Sequence, residues 1–100
     1  MLSANLFYKC DKTNMLQNLE DDRTAVAHRL KRAREVIGLS KKEFAERAGI
    51  SEQVYGPFEN GRRDLSLIAA KKLRKTYGLP LEFMYFGKMD DLPTRISRDL

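Results

Sequence analysis

Cysteine occurs once in the 100 residues, histidine once and tryptophan not at all. Cys10 alone can close no disulfide within the chain. Cys10 and His28 together fall short of the roughly four N or S ligands of a structural zinc site. No apolar run approaches the ~20 residues of a membrane span. The first ten residues lack a basic start followed by a long apolar stretch, so no secretory signal is expected and the chain reads as soluble and cytoplasmic. There is no Ser/Cys–His–acid set, no metal cluster and no phosphate-cradling glycine loop, which leaves an enzyme the weakest class and calls for no cofactor.

What is present is enough apolar material for one modest core, since 42% of the residues are hydrophobic and wholesale disorder is disfavoured. The net charge of +5 is unevenly spread. Residues 23–87 hold 14 Lys and Arg against seven Asp and Glu, while residues 1–22 are net acidic and residues 88–100 are balanced. A basic middle between less basic ends fits a polyanionic partner, although a solvated basic face has the same composition.

Residues 24–87 read as short helices, with no period-2 alternation. Asp21 or Asp22 can cap the first, whose inner stripe is Val26, Leu30, Ala33 and Ile37, ended by Gly38. Ser40 and Glu43 form a capping box for the second, with Phe44, Ala45 and Ala48 inward. Ser51 caps a third, to which Val54, Tyr55 and Phe58 give an apolar side. The fourth runs from about Ser66 to Tyr77, with Ala69, Leu73 and Tyr77 inward. Pro80 opens a fifth, covering Leu81 to Phe86 and closed by Gly87. The second and third are joined only through Gly49-Ile50-Ser51, a helix-turn-helix spacing in which Gly49 supplies the turn and Ala45 the close approach.

The run Gly38-Leu39-Ser40-Lys41-Lys42-Glu43-Phe44-Ala45, then Ala48-Gly49-Ile50-Ser51, then Tyr55, Phe58 and Glu59-Asn60-Gly61-Arg62-Arg63, resembles the Cro/CI-type (XRE-like) helix-turn-helix family. The resemblance extends over about residues 24–87. It implies an all-α, five-helix, lambda-repressor-like domain at 23–87, with 1–22 as an N-terminal extension and 88–100 as a C-terminal tail. It further implies a sequence-specific transcriptional regulator, a repressor of bacterial or phage origin. Such a regulator acts at the nucleoid and binds a pseudo-palindromic double-stranded operator as a homodimer.

Position by position, the resemblance makes Ser51, Glu52 and Gln53 the base-contacting start of the recognition helix. Gln53 can pair with adenine and Glu52 can accept from cytosine N4. Glu52 equally suits a first helical turn, where an acid complements the helix dipole. Lys41 and Lys42 match phosphate contacts at the start of the second helix, and Asn60, Arg62 and Arg63 match the turn that grips the backbone. Arg34 and Glu59 match a structural ion pair between the first and third helices. The family's dimer contacts lie near the fifth helix, which points to Leu81, Met84, Tyr85 and Phe86, with the cluster at Leu6, Phe7 and Tyr8 as second choice. Lys71, Lys72, Arg74 and Lys75 read as a solvated face, and His28 and Cys10 as unused side chains.

Two departures stand out. The recognition helix has no Lys or Arg, the commonest readers of guanine. Pro57, after Gly56, is expected to shorten or distort the last helical turn and to hand readout there to water and DNA shape. With Glu52, these favour another reading, a protein-interaction module that kept the fold and lost operator binding; a further alternative is an antitoxin-type subunit that binds DNA with one face and a partner protein with an apolar flank.

Overall fold

The computed structural model describes residues 22–100; Asp21, Cys10 and the cluster at Leu6, Phe7 and Tyr8 lie outside them. Six helices follow in order: α1 Arg23–Ile37, α2 Lys41–Arg47, α3 Glu52–Glu59, α4 Leu67–Tyr77, α5 Leu81–Phe86 and the single turn α6 Thr94–Ser97. The fold is all-α, with no strand among the described residues.

Serines set the start of three helices. The Ser40 hydroxyl accepts from the Glu43 N–H at 3.2 Å, and Glu43 Oε1 accepts from the Ser40 N–H at 3.4 Å, completing the capping box of α2. Ser51 Oγ accepts from the Val54 N–H at 3.3 Å, and Ser66 Oγ from the Ala69 N–H at 3.2 Å. Each such cap stabilises by about 1 kcal/mol, because it satisfies a donor the helix leaves open. Asp22 holds the cap position of α1, but its side chain makes no capping bond, so this helix starts on backbone geometry alone.

The core is built around rings. Phe44 of α2 stacks on Tyr77 of α4 with centroids 4.4 Å apart and meets Tyr55 of α3 at 5.4 Å; Tyr55 in turn meets Phe58 edge-on at 6.5 Å. The Tyr77 hydroxyl donates to the Phe44 carbonyl at 2.7 Å, so the stacked pair is also tied through its polar tip. Val26, Leu30 and Ala33 of α1 close the other side, joined by Ala27, whereas Ile37 is only half-buried.

The fifth helix and the residues after it complete the core. Leu79, Phe83, Leu92 and Ile96 are buried in the same cluster, so the segment from 88 onward packs rather than frays. Met84 is 0% exposed, which removes it from the surface candidates for a dimer contact. An α5 of six residues has room for only one inward stripe, and Met84 shares it with Phe83. Phe86 remains 47% exposed, and Tyr85 is half-buried with its hydroxyl donating to the Leu65 carbonyl at 2.7 Å.

Candidate nucleic-acid interface

Helix α2 ends at Arg47 with Ala48 as its C-cap, the chain turns at Gly49, and α3 starts after Ser51. Gly49 has φ +77°, a left-handed conformation that would strain a side chain. The turn is closed by the Gly49 N–H on the Glu46 carbonyl at 3.0 Å and the Ile50 N–H on the Ala45 carbonyl at 2.9 Å. Ala45 is fully buried beneath it. From across the domain, Lys72 Nζ donates to the Gly49 carbonyl at 3.1 Å, so one lysine of the α4 basic face anchors the turn.

The rotation of α3 is fixed by what it buries, namely Tyr55, Phe58 and Glu59. Ser51, Glu52 and Gln53 consequently stand exposed on the outward side. Val54 does as well, at 51% exposure, and does not join the apolar inner side expected of it. Its position, one residue before Tyr55, places it a quarter-turn away from the buried seam.

Pro57 does not shorten the helix, which runs to Glu59. Clash between a proline ring and the preceding Cβ normally drives the previous residue out of helical geometry, and Gly56 has no Cβ. The one helical donor missing is that of Pro57 itself, within the last turn. The end is then rebuilt by the turn that follows. The Asn60 N–H donates to the Gly56 carbonyl at 3.0 Å, and the Pro57 carbonyl receives the N–H groups of Arg62 at 2.9 Å and Arg63 at 3.2 Å. With its amide oriented to face these carbonyls, the Asn60 side-chain nitrogen lies 3.0 Å from the Gly56 oxygen and 3.2 Å from that of Pro57. Asn60 thereby acts on the helix end itself.

Beneath α3 sits a buried polar network. Arg34 Nε lies 2.9 Å from Glu59 Oε2 and Arg34 Nη2 lies 2.8 Å from Oε1, a two-pronged pair between α1 and α3. Their side chains are 15% and 3% exposed. Arg34 Nη1 also donates to the Leu39 carbonyl at 2.9 Å, and the Tyr55 hydroxyl donates to Glu59 Oε2 at 2.7 Å. The carboxylate is thus met from two helices and its desolvation is compensated. The Glu59 hydrogen bond chiefly raises the Arg34 guanidinium above its ordinary range. Burial first, then the bond to Glu59, drives the Tyr55 phenol far above its usual value. Sequence reading missed Tyr55 as the third member; its i,i+4 spacing to Glu59 was the available signal.

Basic side chains border the outward face on two sides. Lys41 and Lys42 occupy the first turn of α2, Lys42 exposed and Lys41 half-buried. Arg62 and Arg63 are exposed in the turn after α3. That turn is also tied to α1: Arg23 Nη1 donates to the Arg62 carbonyl at 3.0 Å, and Arg23 Nε lies 3.6 Å from Asp64 Oδ1. Among the described residues no three His, Cys, Asp or Glu side chains group so as to hold a metal, and no helix is long and apolar enough to cross a membrane.

A capped helix, a glycine turn, a second helix with its polar start exposed and cations on either side define a DNA-binding helix-turn-helix domain. A family model described as helix-turn-helix matches residues 30–84, more than half of the chain, and the chain belongs to that family, the XRE or Cro/CI-type helix-turn-helix regulators. It is accordingly a double-stranded-DNA-binding regulator. No curated protein and no solved structure matches it.

Proposed function

We propose that the protein is a sequence-specific transcriptional repressor that binds a pseudo-palindromic operator as a homodimer in the cytoplasm of a bacterial or phage-infected cell. Residues 23–87 are the binding unit in this reading, with 1–22 as an extension and 88–100 as a docked tail. The observation that carries it is the exposed start of α3, Ser51, Glu52 and Gln53, between Lys41 and Lys42 on one side and Arg62 and Arg63 on the other. Gln53 pairs with the N6 and N7 edge of adenine and Glu52 accepts from cytosine N4, while the cations and the amides of the α2 start hold phosphate.

One such helix discriminates poorly, because each good base contact supplies only ~1–3 kcal/mol. Two copies double the readout if their recognition helices lie about 34–36 Å apart. Phe86 and Met89, both large, apolar and exposed, supply a dimer contact away from α3. Selection from a random duplex library, repeated across salt concentrations and paired with sedimentation, tests the reading. Enrichment of an inverted repeat bound by a dimer is expected. A monomer with intact specificity would sink the dimer, and no enrichment would sink the operator. The acid Glu52 and the lack of Lys or Arg on α3 favour a second reading, a protein-interaction module, for which duplex binding at physiological salt would be absent.

A further inference from the structure

The outward face of α3 carries an apolar patch that the fold does not need. Val54 is 51% exposed and Pro57 is partly exposed, although Tyr55 and Phe58 already fill the core under this helix. Val54 and Pro57 are three residues apart and Gln53 precedes Pro57 by four, so the three side chains adjoin on one face. The backbones of Val54 and Pro57 are held in place. The Val54 backbone is pinned by the Ser51 cap at 3.3 Å, and the Pro57 carbonyl is fixed by the Arg62 and Arg63 N–H groups. A β-branched side chain and a rigid ring lose little entropy on contact.

Base edges in the major groove are polar apart from the 5-methyl group of thymine. Guanine's commonest partner, Arg or Lys, is absent from α3. Resting on the DNA-reading role of α3 proposed above, we infer that Val54 and Pro57 form a thymine-methyl reader beside Gln53. Next to the cytosine assigned to Glu52, the half-site is then read as A·T pairs, the Gln53 amide taking adenine and the apolar pair packing on thymine methyl groups. Pro57 is a reading residue on this account, and its position is not surrendered to water or DNA shape.

The test uses a duplex enriched by the full chain from a random library, with each thymine replaced singly by deoxyuridine, which removes the methyl and keeps the base pair. At one or two thymines per half-site, affinity should fall about fourfold, the effect of one methyl leaving an apolar contact. The Val54→Ala variant, altered at an exposed site, should bind thymine and uracil duplexes equally at one of those positions, with its urea midpoint as the check on folding. Equal affinity of the unaltered protein for both duplexes at every position, with preference over a scrambled duplex retained, overturns the methyl reader and leaves DNA reading intact. Loss of preference over scrambled DNA altogether overturns both.

Discussion

On its inner side α3 buries Tyr55, Phe58 and Glu59, and the one carboxylate there is shared between Arg34 and Tyr55 at 2.7–2.9 Å. On its outer side Glu52, Gln53 and Val54 meet solvent, and the side chains of Glu52 and Gln53 make no hydrogen bond or ion pair among the described residues. Eight residues therefore serve two purposes through the helical period alone. The inner side fixes where the helix sits and how it is rotated; the outer side is left to chemistry supplied from outside. Substitutions should separate accordingly, with stability lost on one side and recognition on the other.

The largest loss is expected from Arg34→Leu, which strands the Glu59 carboxylate at 3% exposure. Removing one partner of a buried pair costs about 3–5 kcal/mol. Urea denaturation at neutral pH measures it, and a cost under ~1 kcal/mol would mean that the pair behaves as a surface one.

Tyr55→Phe comes next, since a hydrogen bond to a charged group is worth about 1.5–3 kcal/mol. The same residue sets an alkaline limit. Its phenol is raised in the folded state, as those of Tyr77 and Tyr85 are by burial, so folding favours the protonated form. That contribution is complete below the unfolded phenol value of about 10 and is lost as pH rises above it. Melting temperature against pH should fall beyond about 10 in the unaltered chain and fall less steeply in Tyr55→Phe.

Asp64→Asn breaks only the exposed pair with Arg23 and should cost less than about 1 kcal/mol. A larger effect would show that the turn after α3 depends on it. Smallest of all is Arg62→Ala with Arg63→Ala, expected within about 0.5 kcal/mol of the parent stability, because these side chains are exposed and only their backbones hold the turn. Their effect belongs to the outer side: each lost phosphate contact should reduce the log–log salt slope of DNA binding by about 0.9, alike for all sequences. Loss on one operator alone would make them base readers.

Helix starts were legible because Ser40, Ser51 and Ser66 satisfy backbone donors locally, without help from distant residues. The turn was legible because Gly49 is required by φ rather than by packing. The exposure of Val54 was not legible, because its i,i+4 spacing to Phe58 fits an inner stripe and a helix of eight residues gives that stripe too few repeats to fix its centre. Pro57 stays within the helix, against the expectation from residue type, because Gly56 before it has no Cβ to clash with the proline ring. Met84 could be sorted from Phe86 only by the packing of α5 on α1, which is a tertiary fact. The capping role of Asn60 depends on where the Gly56 and Pro57 carbonyls point, again beyond the reach of residue type.

The two N–H groups on the Pro57 carbonyl bear on how such a domain would search DNA. They bolt the arginine turn to the reading helix, so on the proposed reading grip and readout form one lever. Arg62 and Arg63 cannot settle on phosphates while α3 stays clear of the groove unless the whole domain tilts. A sliding encounter on unrelated sequence would then be a tilted one, and arrival at the operator a rocking of the entire body into the groove rather than the folding of a loop.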